Sequence, residues 1–395
     1  MFTFNRQAVL RAADAVRAWS PKSKIIVGGP HASALAKELK KAHSVFDFIV
    51  EGEGEEEMVQ LLGEEPSSEM WKELLPGPAL LRCDEGASVE EHDYIYLSSS
   101  RGCRGHCTFC STPSFWRKGV RFHSVEWVLN ELRFRQHEIG LDFVSFRDDS
   151  FSADKSRLLA LCQAIEEADD LHLLWDCQAR AAEIDKEITE ALAKAGCRTV
   201  QLGVEHGSPP MRKLLGKNDY PMASVTATKL LRKAGIEVSW FLITAIPDET
   251  KADRAATRQL IKNGKPHDVV LSPLALYPGT ALYRWFAKKK KLPKNFWLET
   301  RDHWILALPF TEGQAIMRKE SHFLASCAKK HRFQTNELKE AWSSLGKPWP
   351  LTWALSTHLI EKGQFKKAKE ILEESEKQKS HFWLARLLAE RDLWE

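Results

Sequence analysis

The chain has 395 residues, of which 43% are apolar, and a formal net charge of +3 from 57 basic and 54 acidic residues. This length predicts two or three domains, and the apolar fraction predicts folded cores rather than disorder. A charge this close to neutral gives no overall field that would recruit nucleic acid or an acidic membrane surface. No segment approaches the roughly 18 uninterrupted apolar residues of a membrane span, so we expect a cytoplasmic protein that neither inserts nor is secreted.

The amino-terminal segment, residues 1–63, has the pattern of half a doubly wound sheet. An amphipathic helix from Arg6 to Trp19 precedes the strand-like run KIIVGG, a turn at Pro30 and His31, a further helical run and the strand-like run FDFIV. Strand, glycine turn, helix and strand in this order are typical of parallel α/β units. We interpret His31 as a turn residue rather than a ligand. Residues 64–93 are rich in Pro, Gly, Ser and acids, which predicts a linker.

Residues 94–285 alternate between strand-like and helical runs. The six strand-like runs are YIYLSS, LDFVSFRD, LHLLWDCQ, RTVQLGVE, IEVSWFLI and DVVLSPLAL. Such alternation predicts a parallel sheet with right-handed crossovers, and hence an α/β fold of the barrel type, open or closed. Four glycines follow helical runs, where C-caps are expected, namely Gly140, Gly196, Gly235 and Gly264. Functional groups of such folds lie where strands end.

The carboxyl-terminal region, residues 286–395, contains no further strand pattern after Pro309. Five successive helical runs follow, and one stretch resembles a tetratricopeptide helix pair, but too few repeats are present for such an array. We expect a helical region that packs on the barrel. The run Lys288 to Lys291 is interpreted as a solvated helix end, with a phosphate-bearing substrate as the alternative.

The cysteines provide the strongest chemical signal. Cys103, Cys107 and Cys110 lie in RGCRGHCTFC, directly after the first strand of the barrel. The others are scattered and are expected to be free, mostly buried thiols, namely Cys83, Cys162, Cys177, Cys197 and Cys327. Three clustered thiolates can hold three irons of a cubane and leave the fourth iron open. The alternative is a zinc ion with His106 or His123 as fourth ligand.

Polar residues also follow the next three strands. Asp148 and Asp149 follow the second strand, Arg180 the third, and Glu205 lies at the end of the fourth. If these strands are parallel, the four side chains share one edge of the sheet. Two alternatives remain open. The acids could cap the following helix, as Ser152 and Asp154 also could, and Arg180 with Glu205 could form a structural ion pair.

In these features residues 94–285 resemble the radical S-adenosylmethionine superfamily, including the aromatic Phe109 before the last cysteine. The resemblance implies a partial (β/α)6 TIM-like barrel and a 4Fe-4S cluster on Cys103, Cys107 and Cys110. It also implies that S-adenosylmethionine binds the open iron and is cleaved reductively, which yields a 5'-deoxyadenosyl radical for hydrogen abstraction from a substrate. An electron donor such as flavodoxin or ferredoxin would be required. The residues implied in cofactor binding are Phe109, Asp148, Asp149, Arg180 and Glu205.

The segments FRDDSF, VEHGS, IPDET and YPGT look like the branch in which a cobalamin-binding domain precedes the barrel. Residues 1–63 look like the second half of that domain, and the family's cobalt-ligating string Asp-x-His-x-x-Gly does not occur in this chain. Cobalamin and methyl transfer therefore stay open. Ala245 and Asp248 replace the two glycines of the family's turn Gly-Leu-Pro-Gly-Glu-Thr. The alternative function is a non-catalytic scaffold with zinc or an inert cluster, whose helical carboxyl terminus binds a partner.

Overall fold

The computed structural model describes residues 1–63, 95–117, 119–217, 219–290, 292, 295–299, 307–328 and 331–374. The predicted linker, Cys83, Lys291 and the last helical run of the sequence lie outside the described residues. The division of the chain into four segments, 1–63, 64–93, 94–285 and 286–395, stays a prediction.

The described part of the chain contains ten strands, most of them short. They are β1 (Ile26–Val27), β2 (Phe48–Ile49), β3 (Tyr96–Leu97), β4 (Ser100–Arg101), β5 (Arg121–Phe122), β6 (Phe143–Phe146), β7 (Leu174–Ala179), β8 (Cys197–Glu205), β9 (Glu237–Thr244) and β10 (Asp268–Pro273).

Helices connect and cover these strands. They are α1 (Arg6–Trp19), α2 (Pro30–Ala34), α3 (Ala36–Ala42), α4 (Glu55–Leu61), α5 (Thr112–Trp116), α6 (Val125–His137), α7 (Lys155–Glu167), α8 (Lys186–Lys194), α9 (Pro209–Leu214), α10 (Pro221–Lys233), α11 (Lys251–Gly264), α12 (Ala281–Lys290), α13 (Phe296–Glu299), α14 (Phe310–Ala328), α15 (Thr335–Ser344), α16 (Trp349–Glu361) and α17 (Phe365–Glu373). No described helix is both long enough and apolar enough to cross a membrane.

A six-stranded parallel sheet forms the centre of the molecule, with strand order β10-β9-β8-β7-β6-β3. These are the six strands that the sequence predicts, and the predicted crossover helices α6, α7, α8, α10 and α11 lie between them. Fully buried Phe146, Trp175 and Trp240 contribute to one large core between sheet and helices. The α/β prediction is confirmed, and β3 and β10 are the two edges of the sheet.

Side-chain caps fix where the crossover helices begin. Ser124 accepts a hydrogen bond from the backbone N–H of Trp127 at 3.1 Å, and Asp154 accepts one from that of Arg157 at 3.0 Å. Asp185 starts α8 in the same way, and Thr250 starts α11. Each cap satisfies a backbone donor that the first helical turn leaves unpaired. Because Asp154 caps α7, the structure does not use Asp148 or Asp149 for that purpose.

One of the four predicted glycine C-caps is wrong. Gly140, Gly196 and Gly235 adopt the expected left-handed backbone, but Gly264 is the last residue of α11 and Lys265 takes the left-handed position with φ 52°. A Cβ atom on Gly264 would overlap the ring of Trp240. Glycine is therefore needed at this position because α11 packs closely on β9, and not because the chain turns there.

The amino-terminal segment confirms the predicted order of helices and strands. β1 pairs in parallel with β2, and a small core under them contains Val27, Leu39 and Phe46. His31 lies in α2 rather than in an open turn. Its side chain is buried, with Nδ1 3.0 Å from the hydroxyl of Thr3.

The helical layer α15–α17 has a core of its own, built around Trp342, Leu355 and Leu359. It also contacts the barrel, since α16 packs on α8 and Trp349 packs beside Leu174 at the start of β7. The predicted packing of this region on the barrel is confirmed for the described helices.

Candidate functional site

The loop that carries the three cysteines begins at β4 and ends at β5. These two strands pair antiparallel, with Ser100 opposite Phe122 and Arg101 opposite Arg121, so they close the loop at its base. Cys103, Cys107 and Cys110 are all free and partly buried. We call residues 102–120 the cysteine loop.

The middle of the cysteine loop is fixed to the barrel through Thr108. Its backbone N–H donates to the carbonyl of Leu215 at 3.0 Å, and its hydroxyl donates to that of Leu214 at 2.7 Å. Its own carbonyl accepts from the N–H of Leu282 at 2.8 Å. Phe109 packs into an apolar cluster that includes Leu215. Phe109 therefore anchors the loop, and its contact with a cofactor stays a prediction.

Arg180, at the end of β7, lies directly against the cysteine loop. The N–H of Gly105 donates to Sγ of Cys103 at 3.3 Å, and a Cβ atom on Gly105 would overlap the guanidinium of Arg180. Glycine is therefore required for Arg180 to approach the thiols so closely. Burial raises the pKa of the Cys107 thiol, and the positive charges of Lys217 and Arg180 oppose that rise. Two cations thus favour the thiolate form, which is the form that binds metal.

Asp148 is buried and stabilises the segment that leads into the loop. One carboxylate oxygen accepts from the hydroxyls of Ser99, at 3.0 Å, and of Ser100, and the other accepts from the N–H of Ser99 at 3.2 Å. Burial raises the pKa of Asp148 to about 6, against the opposing effect of these hydrogen bonds. Both oxygens are engaged within the protein, so the geometry points to a structural role for Asp148. Its contact with a cofactor stays a prediction.

Asp149 is exposed and connects two parts of the cysteine loop. Its Oδ2 accepts from the N–H of Gly102 at 3.0 Å and from Nε1 of Trp116 at 2.7 Å, and its Oδ1 accepts from the hydroxyl of Thr112 at 2.9 Å. Asp149 thereby fixes residues on both sides of the cysteines, while its exposure leaves room for a further donor.

Glu205 ends β8 with a left-handed backbone, φ 65°, at an irregularity in the pairing with β9. Its carboxylate is buried, and its Oε1 lies 3.6 Å from Nζ of Lys217. Burial raises the pKa of Glu205, and Lys217 opposes that rise. Arg180 pairs instead with Glu183 at 3.6 Å, so the alternative of an Arg180 to Glu205 ion pair is wrong.

Sequence reasoning missed a buried network beside Glu205. Nδ1 of His206 accepts from the N–H of Ser208 at 3.0 Å, so its proton lies on Nε2, which donates to Glu249 at 2.9 Å. Glu249 also accepts from the N–H of Ala245 at 3.0 Å and from Arg254. The network links the ends of β8 and β9. The only sequence signal was the adjacency of His206 to Glu205, because partners 43 residues apart leave no periodic pattern.

The side-chain geometry does not suit the zinc alternative. Within the described ranges, no three His, Cys, Asp or Glu side chains converge as ligands of one metal ion. His106 is exposed, and the ring of His123 is buried and stacked on Trp127. A single zinc ion needs convergent ligands at about 2.0–2.3 Å. In a cubane each thiolate binds a different iron, so the thiols can lie further apart.

Comparisons with known proteins identify the family that this part of the chain matches. Residues 97–261 match the family model of the radical SAM superfamily. An uncharacterized methyltransferase of Pyrococcus horikoshii is 28% identical over 66% of this chain and 62% of its own length. The chain therefore spans less than two thirds of that relative.

Two solved structures share the fold. The cobalamin-dependent S-adenosylmethionine radical enzyme OxsB, solved with aqua-cobalamin, superposes with a TM-score of 0.63 over 100% of this chain and 71% of its own, at 15% identity. The radical S-adenosylmethionine methyltransferase TsrM from Kitasatospora setae superposes with a TM-score of 0.59 over 73% of this chain and 64% of its own, at 16% identity.

Residues 97–261, which contain the cysteine loop, are a radical SAM domain by their family match. The superfamily uses a 4Fe-4S cluster and S-adenosylmethionine. The residues present fit the cluster, because three free thiols lie on one loop, two cations face them, and the loop has no side chain at Gly105 where the thiols and Arg180 meet.

Proposed function

We propose that this protein is a radical SAM enzyme that cleaves S-adenosylmethionine reductively and abstracts hydrogen from a substrate. The observation that carries the proposal is the set of free thiols on the cysteine loop, faced by Arg180 and Lys217 at the carboxyl-terminal edge of the parallel sheet. The cluster, when bound, supplies the electron that breaks the sulfonium bond. The protein then holds and orients both cofactors and excludes solvent.

In this proposal each side chain at a strand end makes a different contact with the cofactors. Arg180 presents a guanidinium beside the cysteines, and a planar guanidinium suits a carboxylate because it donates two parallel hydrogen bonds. Asp149 is the exposed acid that could receive the amino group or a ribose hydroxyl. Phe109 and Glu205 border the same edge, and Asp148 acts by fixing Ser99 and Ser100.

The partners of the reaction follow from its chemistry. A substrate and a reductant are needed, and we propose a flavodoxin or ferredoxin as the electron donor. Methyl transfer is a second candidate activity, which the name of the Pyrococcus horikoshii relative favours. If cobalamin binds, we propose that its nucleotide tail borders Gly28 and Gly29 in the turn after β1.

Substitution of the cluster ligands tests the proposal. C103S, C107S and C110S should each abolish retention of iron and sulfide, because each removes one thiolate ligand. They should also abolish formation of 5'-deoxyadenosine from S-adenosylmethionine with dithionite. Both are measured on anaerobically reconstituted protein, by metal and sulfide analysis and by chromatography.

C327S is the matched control, since Cys327 lies in α14, outside the cysteine loop, and should behave as the native protein. A native protein loaded with iron and sulfide that forms no more cleavage product than C107S would overturn the proposal. S-adenosylhomocysteine as the main product in the presence of added cobalamin would favour methyl transfer.

A further inference from the structure

Glu53, in the amino-terminal segment, contacts both ends of the cysteine loop. Its Oε1 lies 2.8 Å from Nη1 of Arg101 in β4 and 2.8 Å from Nη2 of Arg121 in β5. Glu55, at the start of α4, adds a second pair with Nη1 of Arg101 at 2.6 Å. One carboxylate thus bridges the two strands between which all three cysteines lie.

The burial of these charges makes the bridge more than a surface ion pair. The side chains are 12% exposed for Glu53, 19% for Arg101 and 28% for Arg121. Partly buried charges lose hydration that only their partners replace, so removal of Glu53 deprives Arg121 of this counter-charge, while Arg101 keeps Glu55. The backbone pairing of β4 with β5 involves only two residue pairs, and it therefore contributes little to closing the 19-residue cysteine loop on its own.

Arg101 also connects the bridge to the first cysteine. Its guanidinium lies 5.3 Å from the ring centre of Trp116, whose Nε1 donates to Asp149 at 2.7 Å. Asp149 in turn accepts from the N–H of Gly102, the residue before Cys103. Displacement of Arg101 would therefore be transmitted to both flanks of the cysteines.

We propose that Glu53 is a positioning residue that clamps the base of the cysteine loop and so preserves the geometry in which the loop holds its cluster. This inference rests on the proposed function, and it gives the amino-terminal segment a role that does not require cobalamin. The segment stabilises the cluster site by crossing from its own small sheet to the two strands that frame the loop.

The test is the lifetime of the reconstituted cluster in E53Q. Glutamine keeps the size of the side chain but removes the charge that both arginines share. Cluster absorbance in air-saturated buffer should decay about tenfold faster than in the native protein, because the hydrogen bond from Arg101 and the ion pair with Arg121 both lose the carboxylate charge. The control is E57Q, two residues beyond Glu55 on the exposed side of α4, which should decay at the native rate.

A double-mutant cycle separates the clamp from general loss of stability. R121Q removes one of the two contacts of Glu53 and should speed decay less than E53Q does, and E53Q/R121Q should decay no faster than E53Q, since E53Q already breaks the contact with Arg121. R121Q also provides the test if E53Q does not fold, as judged from circular dichroism of the metal-free protein. Additive effects, or equal decay in E53Q and E57Q, would overturn the clamp. A native protein that binds no cluster would instead overturn the proposed function.

Discussion

Two residues hold the turn after β9 in a backbone conformation that normally selects glycine. Ala245 has φ 55° and Asp248 has φ 67°, both in the left-handed region. The side chain of Glu249 accepts from the N–H of Ala245, and it is itself fixed by His206 and Arg254. Strained backbone persists where its surroundings determine it, and such strain gathers near functional sites.

We predict that A245G leaves the free energy of unfolding nearly unchanged. Relief of the left-handed backbone should contribute about 1–2 kcal/mol. Loss of the buried methyl group of Ala245 should cost about 0.8 kcal/mol, and the greater freedom of glycine in the unfolded chain should cost about 0.4–1 kcal/mol more, so the three effects nearly cancel. The free energy of unfolding in urea, measured on the metal-free protein, gives the result.

The control for A245G is A255G, on the exposed side of α11. Glycine in a helix interior loses more conformational entropy than alanine, so A255G should destabilise by about 1 kcal/mol. Equal destabilisation by both substitutions would show that Ala245 is not strained.

At the scale of elements, apolar runs predicted the sheet better than they predicted the site. Six strands were predictable because each lies in an apolar run of the sequence that alternates with helical runs. The β4–β5 pair was not, because two-residue strands such as Ser100–Arg101 carry no alternation and arise only from tertiary pairing.

The same distinction applies to the side chains of the site. The grouping of the cysteines was predictable because all three lie within one loop. The position of Arg180 was predictable because Arg180 follows a strand. Lys217 was missed because its pairing with Glu205 depends on how the chain returns after α9. Asp148 was predicted at the right edge of the sheet, but its burial under Ser99 and Ser100 depends on the path of the chain into β4.

His267, just before β10, shows how a junction of elements perturbs ionisation. Nδ1 accepts from the N–H of Val238 at 3.0 Å, and Nε2 lies 3.1 Å from the guanidinium of Arg232 in α10. Burial, together with the nearby charges of Arg232, Arg198 and His331, lowers the pKa of His267 to about 3. The imidazole is therefore neutral in the folded protein.

We predict that His267 makes the protein less stable as the pH falls below about 6.5. The unfolded chain binds a proton on this ring near pH 6.5, whereas the folded protein binds it only near pH 3, so unfolding takes up a proton between these values. One such group contributes a slope of about 1.4 kcal/mol per pH unit. H267Q should remove that slope from the urea unfolding free energy measured between pH 6.5 and 4.5.

H322Q is the control for this pH dependence, since His322 is exposed on α14. It should keep the native slope. If H267Q and H322Q showed the same slope, another group such as the buried His31, whose pKa burial also lowers to about 3, would have to account for it.

At the scale of the whole molecule, the helical layer contacts the sheet where its strands begin, and the cysteine loop contacts it where they end. Trp349 packs at the start of β7, and Leu351 lies beside Gly235, just before β9 begins. Both contacts are at the amino-terminal edge, whereas Arg180 and Glu205 lie at strand carboxyl ends. The described helices α15–α17 therefore pack against the amino-terminal ends of the strands and do not form the site.

A pair of glycine substitutions measures this support. Gly140 and Gly235 both have left-handed backbone, with φ 85° and 74°, so alanine should cost about 1–2 kcal/mol at either position. No atom of the described residues lies within 4 Å of a Cβ on Gly140, whereas a Cβ on Gly235 would lie 2.6 Å from Cδ2 of Leu351 and 3.2 Å from Cβ of Ala341. G235A should therefore cost about 1–3 kcal/mol more than G140A, because it overpacks the contact with α15 and α16.

The partner residue shows whether the extra cost comes from the helical layer. L351A alone should destabilise by about 2–5 kcal/mol, because Leu351 is buried and its removal leaves a cavity. In G235A/L351A the new methyl group occupies part of that cavity. The double variant should therefore lose less unfolding free energy than the two single variants lose together, as measured by urea unfolding. Additive effects, or equal costs for G140A and G235A, would mean that the helical layer does not pack tightly against the barrel at Gly235. Coupling would instead show that α15 and α16 stabilise the loop that leads into β9, the strand whose far end carries Ala245 and Glu249.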